Sequence, residues 1–443
     1  MIYNIKEGIS VKYGTKISYM SRLSNQKINI PQSWFIKSDV LSDLLKQQGF
    51  IAINQGFSID QCRSIVDFFD NLPLEFYRKL WDEVNYFVET HKHTKRYAIR
   101  SSGVLEDGRK SSFAGIYKSY LNQRKVSNMT NAVIDCWCNS FSASIENYAR
   151  INKISYVYPC NILIQEMISS KCGGVLFKCG GQYYISANYG LAMSVVEGNY
   201  TTDFYMVKGN SVQSKIGKKE YALIPSPQKE NPMQGMKLFF SDNNMSKTYV
   251  IANKYNNYDN IISVQLPLDL AEKPCLESED MNLLIKTADK AANVVFLKDY
   301  DIEWCLTPNH QIVILQVRPL TRSISNMQKT KMIDSETSIG LVEGVVSGIT
   351  YFVANEKDAL EFPVGAILIT KKLNGFALHA LHKAVGCIIQ SESILSHSAI
   401  LAREFNLPTV GVKDISTIPR KKLLEINGYN GRVIEITNKG RFK

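Results

Sequence analysis

One histidine stands at a sharp change of character near the C-terminus. Ser391-Glu392-Ser393-Ile394-Leu395-Ser396 is polar and loop-like, and His397-Ser398-Ala399-Ile400-Leu401-Ala402-Arg403-Glu404 reads as a helix. Ser396 suits an N-cap, which makes His397 the first helical residue. Ile400, Leu401 and, beyond the helix, Leu407 can face a core, and Pro408 stops the element. The helix dipole disfavours an imidazolium there, so a neutral, nucleophilic ring is available near neutral pH. Free first-turn amides can hold a phosphoryl group on that ring. Such a residue suits a covalent carrier of phosphate. The same position also suits a histidine that only caps or packs, and position alone does not separate the two. His379 and His382 lie three apart on a helix expected over Phe376 to Lys383, a spacing compatible with metal. Two histidines without a third ligand are weak grounds for a site, and a surface or structural role is the simpler reading.

The elements around these residues follow from periodicity and punctuation. Ser58 to Phe69 reads as a short helix, and Pro73 opens a second one through about Thr90. Tyr97-Ala98-Ile99-Arg100 is a strand ending at Ser101-Ser102-Gly103. A long helix is expected from near Ser127 to Tyr148, with Ala132, Val133, Cys136, Trp137 and Phe141 on its apolar stripe. Short apolar runs broken by glycine follow at Asn161 to Met167, Gly174 to Phe177 and Tyr183 to Ala187, all read as strands. Residues 207–260 give no clear pattern. Ser278 is expected to cap a helix through about Phe296. Strands at Asp301 to Leu306 and Gln311 to Val317 are joined by a turn at Thr307-Pro308-Asn309-His310. The expected organisation is a large domain over 1–321, a linker or hinge over 322–337 with few apolar anchors, and a small α/β domain over 338–443.

Composition narrows the class. The chain has 443 residues, 45% hydrophobic and 21% charged, ample for two or three ordinary globular domains. No apolar run approaches the ~20 residues of a membrane helix, and the first residues lack the apolar core of a secretory signal. A cytosolic protein with no membrane partner is the expectation. The nine cysteines are scattered without C-x-x-C spacing, so they read as small buried hydrophobes. The formal net charge is +11, but the basic residues are spread along the chain, without a basic helix carrying interleaved aromatics. An anionic ligand fits this charge better than nucleic acid does.

Two sets of motifs carry a family resemblance. Ser396-His397-Ser398-Ala399-Ile400-Leu401-Ala402-Arg403-Glu404 with Leu407-Pro408-Thr409-Val410 resembles the phosphohistidine segment of phosphoenolpyruvate-utilising enzymes. Arg100-Ser101-Ser102-Gly103-Val104-Leu105-Glu106-Asp107 with Ser112-Phe113-Ala114-Gly115 is similar to the ATP-binding domain of pyruvate phosphate dikinase, phosphoenolpyruvate synthase and rifampin phosphotransferase. Tyr13-Gly14-Thr15-Lys16, Ile30-Pro31, Gln165-Glu166-Met167, Gly174-Val175-Leu176-Phe177, Asp301-Ile302-Glu303-Trp304 and Leu315-Gln316-Val317-Arg318-Pro319 follow in the family's order. There are departures. Paired glycines of the family are Glu392-Ser393 here, G-L-G-E is Gly190-Leu191-Ala192-Met193, and Lys178 replaces a threonine, while Asp203 is kept.

The resemblance implies an α+β fold: a two-lobed ATP-grasp domain, then a small swivelling β/β/α phosphohistidine domain. It implies ATP and Mg²⁺ as cofactors. Lys16, Arg100 and Arg318 suit phosphate oxygens, arginine as a two-pronged donor. Gly115 would let backbone amides approach the phosphates, and Ser119 falls at a phosphate-contacting hydroxyl. Gln165 can read the adenine edge. Glu303 and Gln316, on adjacent strands, present oxygens that a hard cation accepts. The implied chemistry is a dikinase reaction in which His397, aided by Arg318, Lys16 and magnesium, takes the β-phosphate of ATP and releases AMP and phosphate. The segment after Arg318 has no room for the ~250-residue (β/α)8 barrel of relatives that make or use phosphoenolpyruvate. The acceptor is therefore expected to be a small molecule bound at an interdomain cleft, or to sit on a separate protein. A split phosphoenolpyruvate synthase-like subunit and a regulatory nucleotide-binding protein are the alternatives.

Overall fold

The computed structural model describes residues 1–94, 96–104, 117–198, 200–226, 251–254 (backbone only), 261–320, 338–373, 377–391 and 393–436. The chain divides into two compact units. The first is built from Met1–Phe113, Tyr117–Ser194 and Asp203–Thr321, and the second takes the C-terminal part from Arg322 together with Val195–Thr202. The expected linker at 322–337 lies outside the described residues.

The first unit carries two main antiparallel sheets. One has five strands in the order Ile2–Asn4, Ser33–Ile36, Asn161–Glu166, Tyr97–Ser102 and Ser119–Gln123. The other has six, in the order Ser211–Lys215, Asp203–Lys208, Gln182–Tyr189, Cys172–Cys179, Tyr300–Leu306 and Ile312–Pro319. Alternation along the strands decides which residues are buried in apolar packing. Tyr300, Ile302, Trp304 and Leu306 join Leu176, Ile185 and Ile314 in the main core. Ile17, Met20 and Leu23 of helix Thr15–Asn25 pack there, as do Met281, Leu284, Ala288 and Ala291 of helix Ser278–Val294.

Several sequence expectations need correction. The segment from Ser127 to Tyr148 is two helices, Val126–Asn139 and Ala143–Ile151. Ser140 Oγ donates to Cys136 O (3.2 Å), Asn139 Nδ2 donates to Ser142 Oγ (3.3 Å), and Ser142 is extended, so side chains break the helix there. Ser278 is the first helical residue rather than the cap, and Phe296 lies past the helix end at φ +58°. Helix Leu74–Thr90 starts just after Pro73, whose ψ of 129° is extended. Ser58 ends a strand, and the following helix runs Cys62–Phe69. Residues 207–260, patternless in sequence, hold strands Ser211–Lys215, Tyr221–Pro225 and Ile251–Lys254.

The second unit is a mixed seven-stranded sheet, ordered Ser338–Val342, Thr409–Val412, Gly386–Gln390, Ile367–Thr370, Val345–Phe352, Leu423–Asn427 and Arg432–Glu435. Its four middle strands from Thr409–Val412 to Val345–Phe352 pair in parallel, linked by helices Glu356–Leu360, Ala377–Leu381 and His397–Glu404. Ile367, Ile369, Ile388, Val410, Leu424 and Ile426 form its apolar centre. Both units mix helix and strand, so the fold class is α+β.

Candidate active site

The chemistry-bearing residues of the first unit meet because of one irregularity. Glu303 pairs with Gln316 and Asp301 with Arg318 across the Tyr300–Leu306 and Ile312–Pro319 strands, but the register shifts between Glu303 and Trp304, which faces Ile314. Leu315 is the extra residue of a β-bulge. Without it, Gln316 and Arg318 would stay in phase with Ile312 and Ile314 on the core side. With it, Asp301, Glu303, Gln316 and Arg318 share the opposite face. The bulge was not legible in the sequence, where Ile312-Val313-Ile314-Leu315 is a plain apolar run.

Arg100 meets this face from the five-stranded sheet. Its Nη2 donates to Glu303 Oε2 at 3.0 Å and to Gln316 Oε1 at 2.7 Å, and its Nη1 donates to Gln165 Oε1 at 3.3 Å. Gln165 Nε2 in turn donates to the bulge carbonyl of Leu315 at 3.4 Å. Arg318 Nε donates to Asp301 Oδ2 at 2.5 Å, a partner that the motif reading did not assign. Gln165, Glu303, Gln316, Asp301 and Arg318 are all buried. Lys16 lies at the start of helix Thr15–Asn25, with Nζ 3.5 Å from Ser101 O. Gly14, at φ +83°, lets that helix start against the Arg100 strand: a Cβ on it would come within 2.5 Å of Ser102 Oγ. Ser102 Oγ donates to Tyr13 O (2.9 Å) and accepts from Ile17 N (3.3 Å), fixing the contact. Ser119 is the cross-strand partner of Arg100. Gly115 lies outside the described residues.

Glu303 Oε2 and Gln316 Oε1 converge on one cationic nitrogen. One anionic and one neutral oxygen brought to a single point suit a hard divalent ion, so the residues fit Mg²⁺. No group of three or more His, Cys, Asp or Glu that could hold a metal occurs among the described residues. His379 ends up on the five-residue helix Ala377–Leu381, and His382 Nδ1 lies 3.0 Å from Leu378 O.

His397 opens helix His397–Glu404 of the second unit, with Ser396 Oγ accepting from Ala399 N at 3.3 Å. Ser396 is extended (φ −69°, ψ 154°), as an N-cap should be. The loop before it is held by hydroxyls. Ser391 Oγ and Ser396 Oγ are 3.0 Å apart, Leu395 N donates to Ser393 Oγ at 3.2 Å, and Arg403 Nη2 donates to Ile394 O at 2.6 Å. Burial pulls the Arg403 guanidinium down to about 10, which leaves it charged at neutral pH. Ser393 is buried in this hydroxyl set. Leu401 and Leu407 are buried, whereas Ile400 is half-buried, and Ala399 and Ala402 take the inner helix positions.

Residues 11–338 match the family described as pyruvate phosphate dikinase, AMP/ATP-binding domain. Residues 362–431 match that described as PEP-utilising enzyme, mobile domain. The chain belongs to the pyruvate phosphate dikinase family of AMP/ATP-binding proteins. It is 25% identical over 404 residues to a probable phosphoenolpyruvate synthase of Staphylothermus marinus, covering 81% of this chain and 46% of that protein. It is 29% identical over 256 residues to the uncharacterized phosphotransferase YvkC of Bacillus subtilis, covering 56% of this chain and 27% of that one. The chain spans about half the length of the phosphoenolpyruvate synthases it matches. D-alanyl-alanine synthetase A of Vibrio cholerae overlays at a TM-score of 0.28 with 10% identity, over 71% of this chain and 57% of that one, too low to bear on the argument. Among the described residues no helix is long and apolar enough to cross a membrane.

Proposed function

We propose that this chain is an ATP-dependent dikinase-type phosphotransferase in which the β-phosphate of ATP passes to His397 and then to an acceptor. The observation that carries the reading is the Ser396-capped helix that opens on His397, in a chain of the AMP/ATP-binding family. Lys16, Arg100 and Arg318 bind the triphosphate together with Ser119, and Gln165 faces the adenine. Glu303 and Gln316 hold Mg²⁺, which neutralises phosphate charge when bound. Asp301 fixes the Arg318 guanidinium in direction, because a charged hydrogen bond of 2.5 Å leaves it little freedom. The His397 ring nitrogen attacks the β-phosphorus of ATP and breaks its bond to the AMP oxygen, so AMP leaves and the β,γ-pyrophosphoryl group rests on the ring. Water then breaks the β–γ bond, releasing phosphate and leaving the β-phosphoryl group on His397. The start of the helix, apart from the Ala399 N–H taken by the Ser396 cap, favours the negative charge of the phosphorylated ring. The acceptor is a small molecule or a separate protein, the second case including a split-subunit form. Cytosolic residence belongs to the same proposal.

The test uses ATP labelled at either the β or the γ position. Acid-labile label on the protein from the β position only, with AMP formed, is the expected result. Label from the γ position with ADP accumulating would make the chain an ordinary kinase and end the reading.

A further inference from the structure

Val195–Thr202 falls in sequence between strands Gln182–Tyr189 and Asp203–Lys208 of the first unit, yet it belongs to the second. We propose that Glu197 and Gly198 of this segment are positioning residues for His397. The inference rests on the reading of His397 as a phosphoryl carrier.

Two contacts bracket the histidine. On one side is Gly198, with φ +70°. A Cβ on Gly198 would stand 2.5 Å from Ser396 Cβ and 2.7 Å from Ser391 Oγ. Its backbone therefore lies directly against the N-cap serine and the hydroxyl that braces it, and no side chain fits between. On the other side, Glu197 Oε2 accepts from Lys372 Nζ at 3.0 Å, with the glutamate side chain only 14% exposed. Lys372 is followed by Leu373, whose N–H donates to Ser398 Oγ at 3.1 Å. Ser396 and Ser398 flank His397 in the chain, and both are thereby tied to residues 197–198. The ion pair holds the Lys372–Leu373 segment, the Leu373 N–H holds Ser398, and the glycine lies against Ser396. With Ser396 and Ser398 held, the backbone that carries the His397 ring is held with them. The effect is one of orientation, and a misplacement of about 1 Å at a reacting group costs up to ~100-fold in rate.

The experiment uses the full chain with the single variants Glu197→Lys, Lys372→Glu and Gly198→Ala, and the charge-exchanged double variant Glu197→Lys/Lys372→Glu. Two quantities are read: the rate of His397 labelling from β-labelled ATP at saturating nucleotide, and the rate at which diethylpyrocarbonate modifies His397, located by mass spectrometry. Each single variant should slow labelling by ~10-fold or more while ATP affinity stays within about twofold, and the double variant should recover most of the rate. Single variants that label as fast as wild type, or a double variant as slow as the singles, overturn the proposal. Should Gly198→Ala fail to fold, the ion-pair variants decide. Should wild type take no label at all, the phosphotransferase reading falls and the modification rate decides separately. A changed His397 reactivity in Glu197→Lys that the double variant reverses upholds the positioning role, and an unchanged one removes it.

Discussion

Arg100 holds the two oxygens that the proposed mechanism gives to magnesium, so guanidinium and dication compete for them. Arg100 Nη2 is 3.0 Å from Glu303 Oε2 and 2.7 Å from Gln316 Oε1. Exposure is 14% for the Arg100 side chain and 9% for Glu303, so the pair is well shielded. At 3.0 Å and an effective dielectric of about 20, the gross attraction is about 5–6 kcal/mol. Part of that offsets desolvation, and removing one partner of such a pair costs about 3–5 kcal/mol. Arg100→Met should therefore lower stability by an amount of that order without metal. It should also remove the Arg100 positive charge from beside Glu303, which favours a cation there. Mg²⁺ or Mn²⁺ should then bind without nucleotide at least ~10-fold more tightly than to wild type. A concentration of about 100 Kd returns about 2.7 kcal/mol of the lost stability. Glu303→Gln also breaks the pair and should lower stability, but it should lose the metal response rather than gain one. Thermal unfolding with and without metal, together with titration calorimetry, reads both effects. The reasoning is refuted if metal raises the Tm of Arg100→Met no more than that of wild type, or if Glu303→Gln keeps its metal response.

Three further outcomes are expected. Lys219 and Asp203 form a fully buried pair at 2.5 Å, and Asp203 also accepts from Gly217 N and Cys275 N. Lys219→Met should cost about 3–5 kcal/mol, or about 5–8 °C in the Tm of a unit of about 310 residues, and a loss under about 2 °C contradicts this. Burial tends to raise the Asp289 carboxyl, but hydrogen bonds from Lys178, Tyr300 and Tyr183 outweigh it and hold the group below the usual aspartate range. A lowered carboxyl pKa stabilises the fold above the unfolded value of about 3.9, and that stability is lost as pH falls through the folded value. In urea unfolding at several pH values, Asp289→Asn should trail wild type near neutrality and converge with it below about pH 4; an undiminished gap in acid contradicts the sign. Seven of the nine cysteines are buried, and burial pushes the Cys62 thiol up to about 12 and raises those of Cys305 and Cys387. A maleimide on the native protein should reach Cys138 and Cys179 first, and early modification of Cys387 would show its surroundings to be open.

Much of the candidate site could be read from residue type and order. Arg100, Gln165, Glu303 and Gln316 each suit phosphate, adenine or metal by type and motif, and the fold brings them into one hydrogen-bonded cluster. The Ser396 cap and the first-turn position of His397 follow from local chemistry, which is why the sequence reveals them. What stayed hidden depends on contacts distant in sequence. The Leu315 bulge is a register event between strands, and no periodicity in an apolar run announces it. Asp301 reaches Arg318 only because that bulge turns both to one face. The break at Ser140–Ser142 lies inside a stretch whose apolar spacing suits one helix, and side-chain hydrogen bonds override it. The bond between Glu197 and Lys372 spans 175 residues and has no motif at either end.

The central claim is that phosphate resides on His397. Protein incubated with Mg²⁺ and ATP, digested at alkaline pH and mapped by mass spectrometry, should carry its phosphoryl group on the peptide containing His397. The group should be lost in acid and absent from His397→Ala, while His379→Ala and His382→Ala keep it. Phosphate that persists in His397→Ala, or that maps to a serine of the Ser391–Ser398 stretch and survives acid, would contradict the account.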